Sequence, residues 1–368
     1  MSETANIALL TSWPMDVRIG SGIVRMLQGF CEGFKQNGVH CQIIHPHFTP
    51  GNEADLHSLR LQFNLYLSQR DYSKFDFIIG SDFDGFLLPD RWLDRYYAVN
   101  GGLLADLLQF EKGRNADLLR ELAEKEKRNI LRAQLVFVPS QYSAQKLQHL
   151  YGISRERICV VPLGIDFEYW QKLLRAVHRT NKVHTKRILC VARHYVRKGI
   201  DDLIRAVQQL HDRLPSVRLD LVGDGPEQER LKRLTYTLRA ESYIHFEGGV
   251  KDQKKLAAYY RHADVFCLPS YHETFGLVFL EAMAAALPVV SYASTSIPEV
   301  VTPQTGMLCP VGDLSCLVNS LFGLLMAENN SVQMGRQGRK RAQEMSWHKT
   351  AKHILNALYT NAAPGAKS

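Results

Sequence analysis

The chain has 368 residues, 45% of them apolar and 22% charged, a balance that argues against disorder and provides for real hydrophobic cores. Its length exceeds one ordinary domain and fits two α/β domains. No run of eighteen apolar residues occurs, so no spanning helix is expected, while the net charge of +8 leaves nucleic acid, an anionic membrane surface or a polyanionic small molecule as partner classes.

The N-terminus is polar, and the apolar run Ile7-Ala8-Leu9-Leu10 is too short for a signal peptide. The seven cysteines are scattered and odd in number, with no CxxC, which points to a reducing cytoplasm. In the first half, strands are predicted at Asn6–Thr11, Cys41–His45, Phe75–Gly80, Leu135–Val138 and Ile158–Val161. Between the first two lies a helix with Ile23, Leu27, Phe30 and Phe34 on its apolar face, closed by Asn37-Gly38. The segment from Glu111 to Arg132 alternates cations and anions and reads as an exposed helix. From Gln171 to Lys186 the sequence is polar and basic without a strand pattern, and is read as the domain junction. A second series then predicts strands at Ile188–Ala192, Leu219–Val222, Tyr243–Phe246, Val265–Leu268 and Val289–Tyr292. Arg336-Arg339-Lys340-Arg341 is a one-sided basic cluster, read either as a solvated helix face or as a contact for anionic lipid headgroups. The basic residues as a whole form no single stripe, which disfavours nucleic acid. A last helix carries Trp347, Ile354, Leu355 and Leu358. The expected division is 1–168 and 169–346, with a helix of about 347–362 packing back on the first domain.

Open parallel sheets bind ligands at the carboxyl ends of their strands, so the loops there are where chemistry is sought, in a cleft between two such domains. In Glu273-Thr274-Phe275-Gly276-Leu277, Gly276 falls where a helix should start, leaving the Gly276 and Leu277 amides to face an anion. Glu273 precedes that helix, where it suits sugar hydroxyls, and Glu281 lies about one turn in, where it suits a ribose diol. Arg193 and Lys198 follow another strand, and fixed cations there would stabilise charge growing on a leaving phosphate. Asp82-Phe83-Asp84 superficially matches a metal-holding D-x-D pair; two acids alone make a poor cage, and an acceptor contact or a plain loop are the other readings. His45 and His47 flank Pro46 and read as loop residues.

The segment Glu273 to Glu281, with Phe275-Gly276 after the first acid, resembles the donor-binding signature of family four retaining glycosyltransferases. The similarity continues through Val191 to Gly199, Leu221 to Pro226, Ala263 to Ser270 and Ile297 to Val301. The resemblance implies a GT-B architecture of two Rossmann-like domains, with transfer of a hexose from a nucleoside-diphosphate sugar to an acceptor hydroxyl, configuration retained. It implies neither cofactor nor metal, with Arg193 and Lys198 clamping the diphosphate and Glu273 completing the catalytic set. Gly20-Ser21-Gly22 resembles the family's glycine loop, so Gly22 approaches the donor, while base selectivity is expected from backbone near Gly249-Val250. Asp82 and Asn100 are assigned to the acceptor side; many relatives carry His where Asn100 falls, and Asn cannot act as a base. Ala286 and Ser294-Thr295-Ser296 replace glycines of the family pattern. The rival reading is a catalytically inert nucleotide-sugar binder. A nicotinamide dehydrogenase is disfavoured, because Arg25 stands where the third glycine of its turn would fall.

Overall fold

A computed structural model describes residues 5–15, 21–47, 53–178 and 185–361, and places the chain in two units, Met1–Gly164 with Ser346–Ser368, and Ile165–Met345. The first unit holds a six-stranded parallel sheet of β1 (Asn6–Leu10), β2 (His40–Ile44), β3 (Phe77–Ser81), β4 (Tyr96–Val99), β5 (Val136–Val138) and β6 (Ile158–Val160), in the order β2-β1-β3-β4-β5-β6. The second holds β7 (Lys186–Val191), β8 (Val217–Val222), β9 (Ile244–Gly248), β10 (Val265–Cys267), β11 (Val289–Tyr292) and β12 (Gly306–Cys309), in the order β12-β11-β10-β7-β8-β9, also parallel. Helices cover such sheets on both faces, which is why β3 and β10 are apolar or small at every position and buried throughout. Strand order reverses between β1 and β3 in the first sheet and between β7 and β10 in the second.

β4 and β12 were not among the predicted strands. Length is not the reason, since β5, β6, β10 and β11 are as short; β12 (Gly-Met-Leu-Cys) has no β-branched residue and exposes Met307. The helix Ser21–Gln36 buries Leu27, Phe30 and Phe34 as its spacing requires, with Ile23 only half-buried. Against it lies the last helix, Trp347–Asn361, which belongs to the first unit. Gly29 and Gly33 admit Trp347, whose ring meets Phe30 edge-on at 6.0 Å, and Asn37 donates to the His348 carbonyl.

The predicted junction lies partly inside an element. The helix Phe167–Arg175 starts the second unit, capped by Asp166 and burying Trp170, Gln171, Leu173 and Leu174; residues 179–184 lie outside the described set. Glu168, Lys172 and Arg175 form the outer face of this amphipathic helix, while the polar Gln171 is turned inward. The segment Glu111–Arg132 is likewise not wholly exposed: within the helix Gly113–Arg132, Leu122, Ala123, Glu126, Asn129 and Ile130 are buried. The cysteines also yield one surprise. Cys309, ending β12, is disulfide-bonded to Cys316 in the first turn of the next helix.

Candidate functional site

The reversal of strand order at β7 and β10 brings the loops after them together. Gly199, with φ +60°, lets the β7 loop pass against the Pro269 carbonyl, where a Cβ would collide. The Tyr271 amide then donates to the Arg197 carbonyl. Lys198 Nζ donates to Glu273 Oε1 at 2.6 Å, and Ser270 Oγ donates to the same oxygen at 3.0 Å. Burial pushes the Lys198 ammonium down in pKa, against the pull of Glu273. Burial pushes the Glu273 carboxyl up, yet Lys198, Arg197 and Ser270 outweigh it and hold Glu273 below the ordinary carboxylate value. The two side chains meet as a buried salt bridge.

The backbone of Glu273 is held as firmly. Its N–H donates to Thr295 Oγ1, and its carbonyl accepts from the hydroxyls of Thr295 and Ser296. Ser294 Oγ donates to the Ser270 carbonyl. Ser294, Thr295 and Ser296 thus tie down the acid-bearing loop, with Thr295 held at a strained φ of +47°. Ala286 also has positive φ, +58°, a conformation that costs an alanine roughly 1 kcal/mol.

Gly276 has φ +86° and opens the helix Leu277–Ala284, whose N-terminus no side chain caps. Phe275 is buried beneath it, Leu277 is half-buried, and Val250 is half-buried after β9. Glu281 is buried, and one of its carboxylate oxygens accepts from Tyr260 at 2.8 Å. Arg193 is not part of the Lys198–Glu273 pair: its Nη1 lies 2.8 Å from Asp224 Oδ1 at the end of β8.

In the first unit, Gly22 lies exposed in the first turn of its helix with open space around it, and Gly20 lies outside the described residues. Asp82, at φ +53° after β3, accepts from Trp13 Nε1 at 2.9 Å and stands 3.5 Å from Arg60 Nη2. Burial raises its pKa, with Arg60 and Trp13 opposing. Asp84 accepts from the Ser12 amide and from Asn64, so both acids are engaged by protein donors. Asn100 is buried and donates to Glu126 Oε1 at 2.7 Å. Among the described residues no group of three or more His, Cys, Asp or Glu side chains is placed to hold a metal ion.

Two family models match the chain: "Glycosyl transferases group 1" over residues 175–341 and "Glycosyltransferase Family 4" over residues 97–169. The chain belongs to the family four glycosyltransferases. Among relatives, it is 32% identical over 258 residues to the D-inositol 3-phosphate glycosyltransferase of Corynebacterium glutamicum, covering 65% of this chain and 61% of that one. It is 31% identical over 226 residues to the MMP alpha-(1->4)-mannosyltransferase of Mycolicibacterium hassiacum, covering 61% of this chain and 53% of that one. These matches thus span less than two thirds of the curated relatives' lengths. In fold it is similar to a sucrose-phosphate synthase from Thermosynechococcus elongatus, with a TM-score of 0.80, 22% identity and coverage of 97% and 98%. It is also similar to Anabaena Alr3699/HepE in complex with UDP and glucose, at a TM-score of 0.69, 19% identity and coverage of 96% and 99%. The architecture of this family four member is GT-B.

Several residues of this glycosyltransferase-family chain escaped the sequence reading. Glu126 is fully buried and also accepts from the Leu104 amide and from Tyr151. Burial pushes its pKa up to about 8, against the hydrogen bonds from Tyr151, Leu104 and Asn100. Its spacing from Leu122, Ala123, Ile130 and Ala133 would have placed it on the helix's apolar stripe. Arg60, 2% exposed, packs over Trp13 at 4.0 Å and Phe83 at 4.3 Å; no local pattern joins three residues so far apart in sequence. Asp202 accepts from both Tyr271 and Tyr292 at 2.6 Å, pinning the β10 and β11 ends to the helix Ile200–Arg213.

Proposed function

We propose that the chain transfers a hexose from a nucleoside-diphosphate sugar to an acceptor hydroxyl with retention, without a resident metal or cofactor. The observation that carries this reading is the Lys198–Glu273 pair, buried beside the uncapped helix N-terminus at Gly276. An ammonium has three N–H donors, and the carboxylate takes one, leaving the others for a β-phosphate. Glu273 Oε1 takes both protein donors, which leaves Oε2 for sugar hydroxyls. Arg193 pairs with Asp224 where the two side chains are 35% and 50% exposed, an interaction worth little and readily exchanged for a phosphate.

In this mechanism the bond between the anomeric carbon and the phosphate oxygen breaks as the acceptor oxygen attacks the same face. The acceptor proton passes to the departing phosphate. Lys198, Arg193 and the Gly276 and Leu277 amides stabilise the charge growing there. Glu281 and the backbone at Val250 would take the ribose and base. The second reading, an inert binder, draws on Asn100, whose amide is committed to Glu126 where relatives carry a histidine.

The test pairs thermal stabilisation by UDP, GDP, ADP and their sugars, in EDTA, with donor hydrolysis. One nucleotide should raise the unfolding midpoint by mass action, and Arg193→Ala should lower turnover roughly 100-fold. Stabilisation without hydrolysis or transfer would favour the inert binder, and no stabilisation by any nucleotide would end the proposal. Lys198→Ala is a poorer probe than its loop position suggested: it strands a buried carboxylate, at about 3–5 kcal/mol. Lys198→Met with Glu273→Gln removes both charges together.

A further inference from the structure

An open groove of about 330 Å³, its charged lining exposed to solvent, lies in the second unit between the helix Phe167–Arg175 and the helix Glu328–Glu344. Arg336, Arg339 and Lys340, at spacings of three and four, turn one helical stripe into it, and Arg175 faces them from the other helix. Glu168 is the single carboxylate on the wall. None of the four cations has an ion-pair partner among the described residues; Arg339 rests 5.9 Å from the centre of the Phe167 ring. Arg341, next in sequence, turns elsewhere and donates to the Glu299 and Val300 carbonyls. The basic cluster seen in the sequence therefore divides into one residue that closes the fold and three that line a concave site.

Four exposed cations gathered along one groove attract an anion, and three of the four are guanidiniums, whose planar forks match phosphate oxygens two at a time. The floor of the pocket fixes its place. Gln171, on its wall, donates to the Ala284 carbonyl at the far end of the helix Leu277–Ala284. A helix of that length spans about 12 Å, so a ligand here leaves the Gly276 end open.

We propose that this pocket is a binding site for a phosphate-bearing ligand, separate from the site at Lys198 and Glu273. The shared chemistry is a phosphate with at least one free pair of oxygens, carried by a soluble ester or by the headgroup of an anionic lipid.

The experiment compares wild type with Arg336→Ala/Arg339→Ala, two exposed positions whose loss should leave the unfolding midpoint unchanged. One arm titrates inorganic phosphate calorimetrically. The other sediments protein with vesicles of phosphatidylglycerol or of phosphatidylcholine alone. If a soluble phosphate is the ligand, one phosphate-binding event weakens roughly tenfold or more in the double variant. If a lipid is the ligand, wild type sediments with phosphatidylglycerol and not with phosphatidylcholine, and the double variant loses that binding. Binding by neither probe, or binding that the double substitution leaves intact, overturns the proposal. A failure here leaves the nucleotide-sugar reading untouched, since none of these residues belongs to it.

Discussion

Glu126 shows how one carboxyl can make stability depend on pH. Its folded pKa, about 8, lies above its ordinary value of 4.5, so the folded state binds the proton more tightly than the unfolded chain does. That contribution is complete below pH 4.5 and is lost as pH rises through 8. Wild type should therefore lose stability between pH 5 and 8, on the order of a few kcal/mol, and Glu126→Gln should flatten that slope. Unfolding midpoints across the range decide it; parallel profiles would mean that Glu126 is ionised throughout. At this same scale, the strand-end position of Glu273, Gly276, Arg193 and Lys198 was legible, because each lies in a short motif after a strand. Their partners were not. That Lys198 meets Glu273 while Arg193 meets Asp224 is decided by which strands are neighbours.

Helices and strands were legible where an apolar helical spacing or a buried β-branched run marks them, even over three residues as in β5 and β6. The helix Ser21–Gln36 was readable from its apolar spacing, but its glycines acquire meaning only from the helix laid across them. A Cβ at Gly33 would run into the Trp347 carbonyl and the Ala351 methyl, whereas one at Gly22, in the same helix, meets nothing within 4 Å. Gly33→Ala should therefore cost about 2 kcal/mol, overpacking outweighing its gain in helix propensity, while Gly22→Ala should be neutral or mildly stabilising. Urea unfolding of the two variants tests this, and equal effects would place the last helix elsewhere. β12 escaped because it has no β-branched residue and exposes Met307, and Glu126 was hidden because alternating charge resembles a solvated face even when one member turns inward.

For the molecule as a whole, the chain leaves its first unit at Gly164 and returns at Ser346, so the last helix completes a core begun by the first. Trp347, Ile354, Leu355 and Leu358 are buried there, and Phe77 of β3 meets Tyr359 at 5.6 Å. Truncation after Met345 should expose that face and unfold the first unit, since deleting even one such aromatic costs about 3–5 kcal/mol. Hydrogen exchange should then show β1 to β6 unprotected and β7 to β12 still protected; protection of both sheets would refute it. The alternation of strands and helices, the two parallel sheets and the charged strand-end loops could be read from the residues alone, because periodicity and strand-end motifs are local. The strand orders, the pairing of Lys198 with Glu273, the burial of Glu126, the Cys309–Cys316 bond and the gathering of four cations along one groove came only from the packing. Each of these joins residues whose meeting is set by how elements pack, and no local pattern records it.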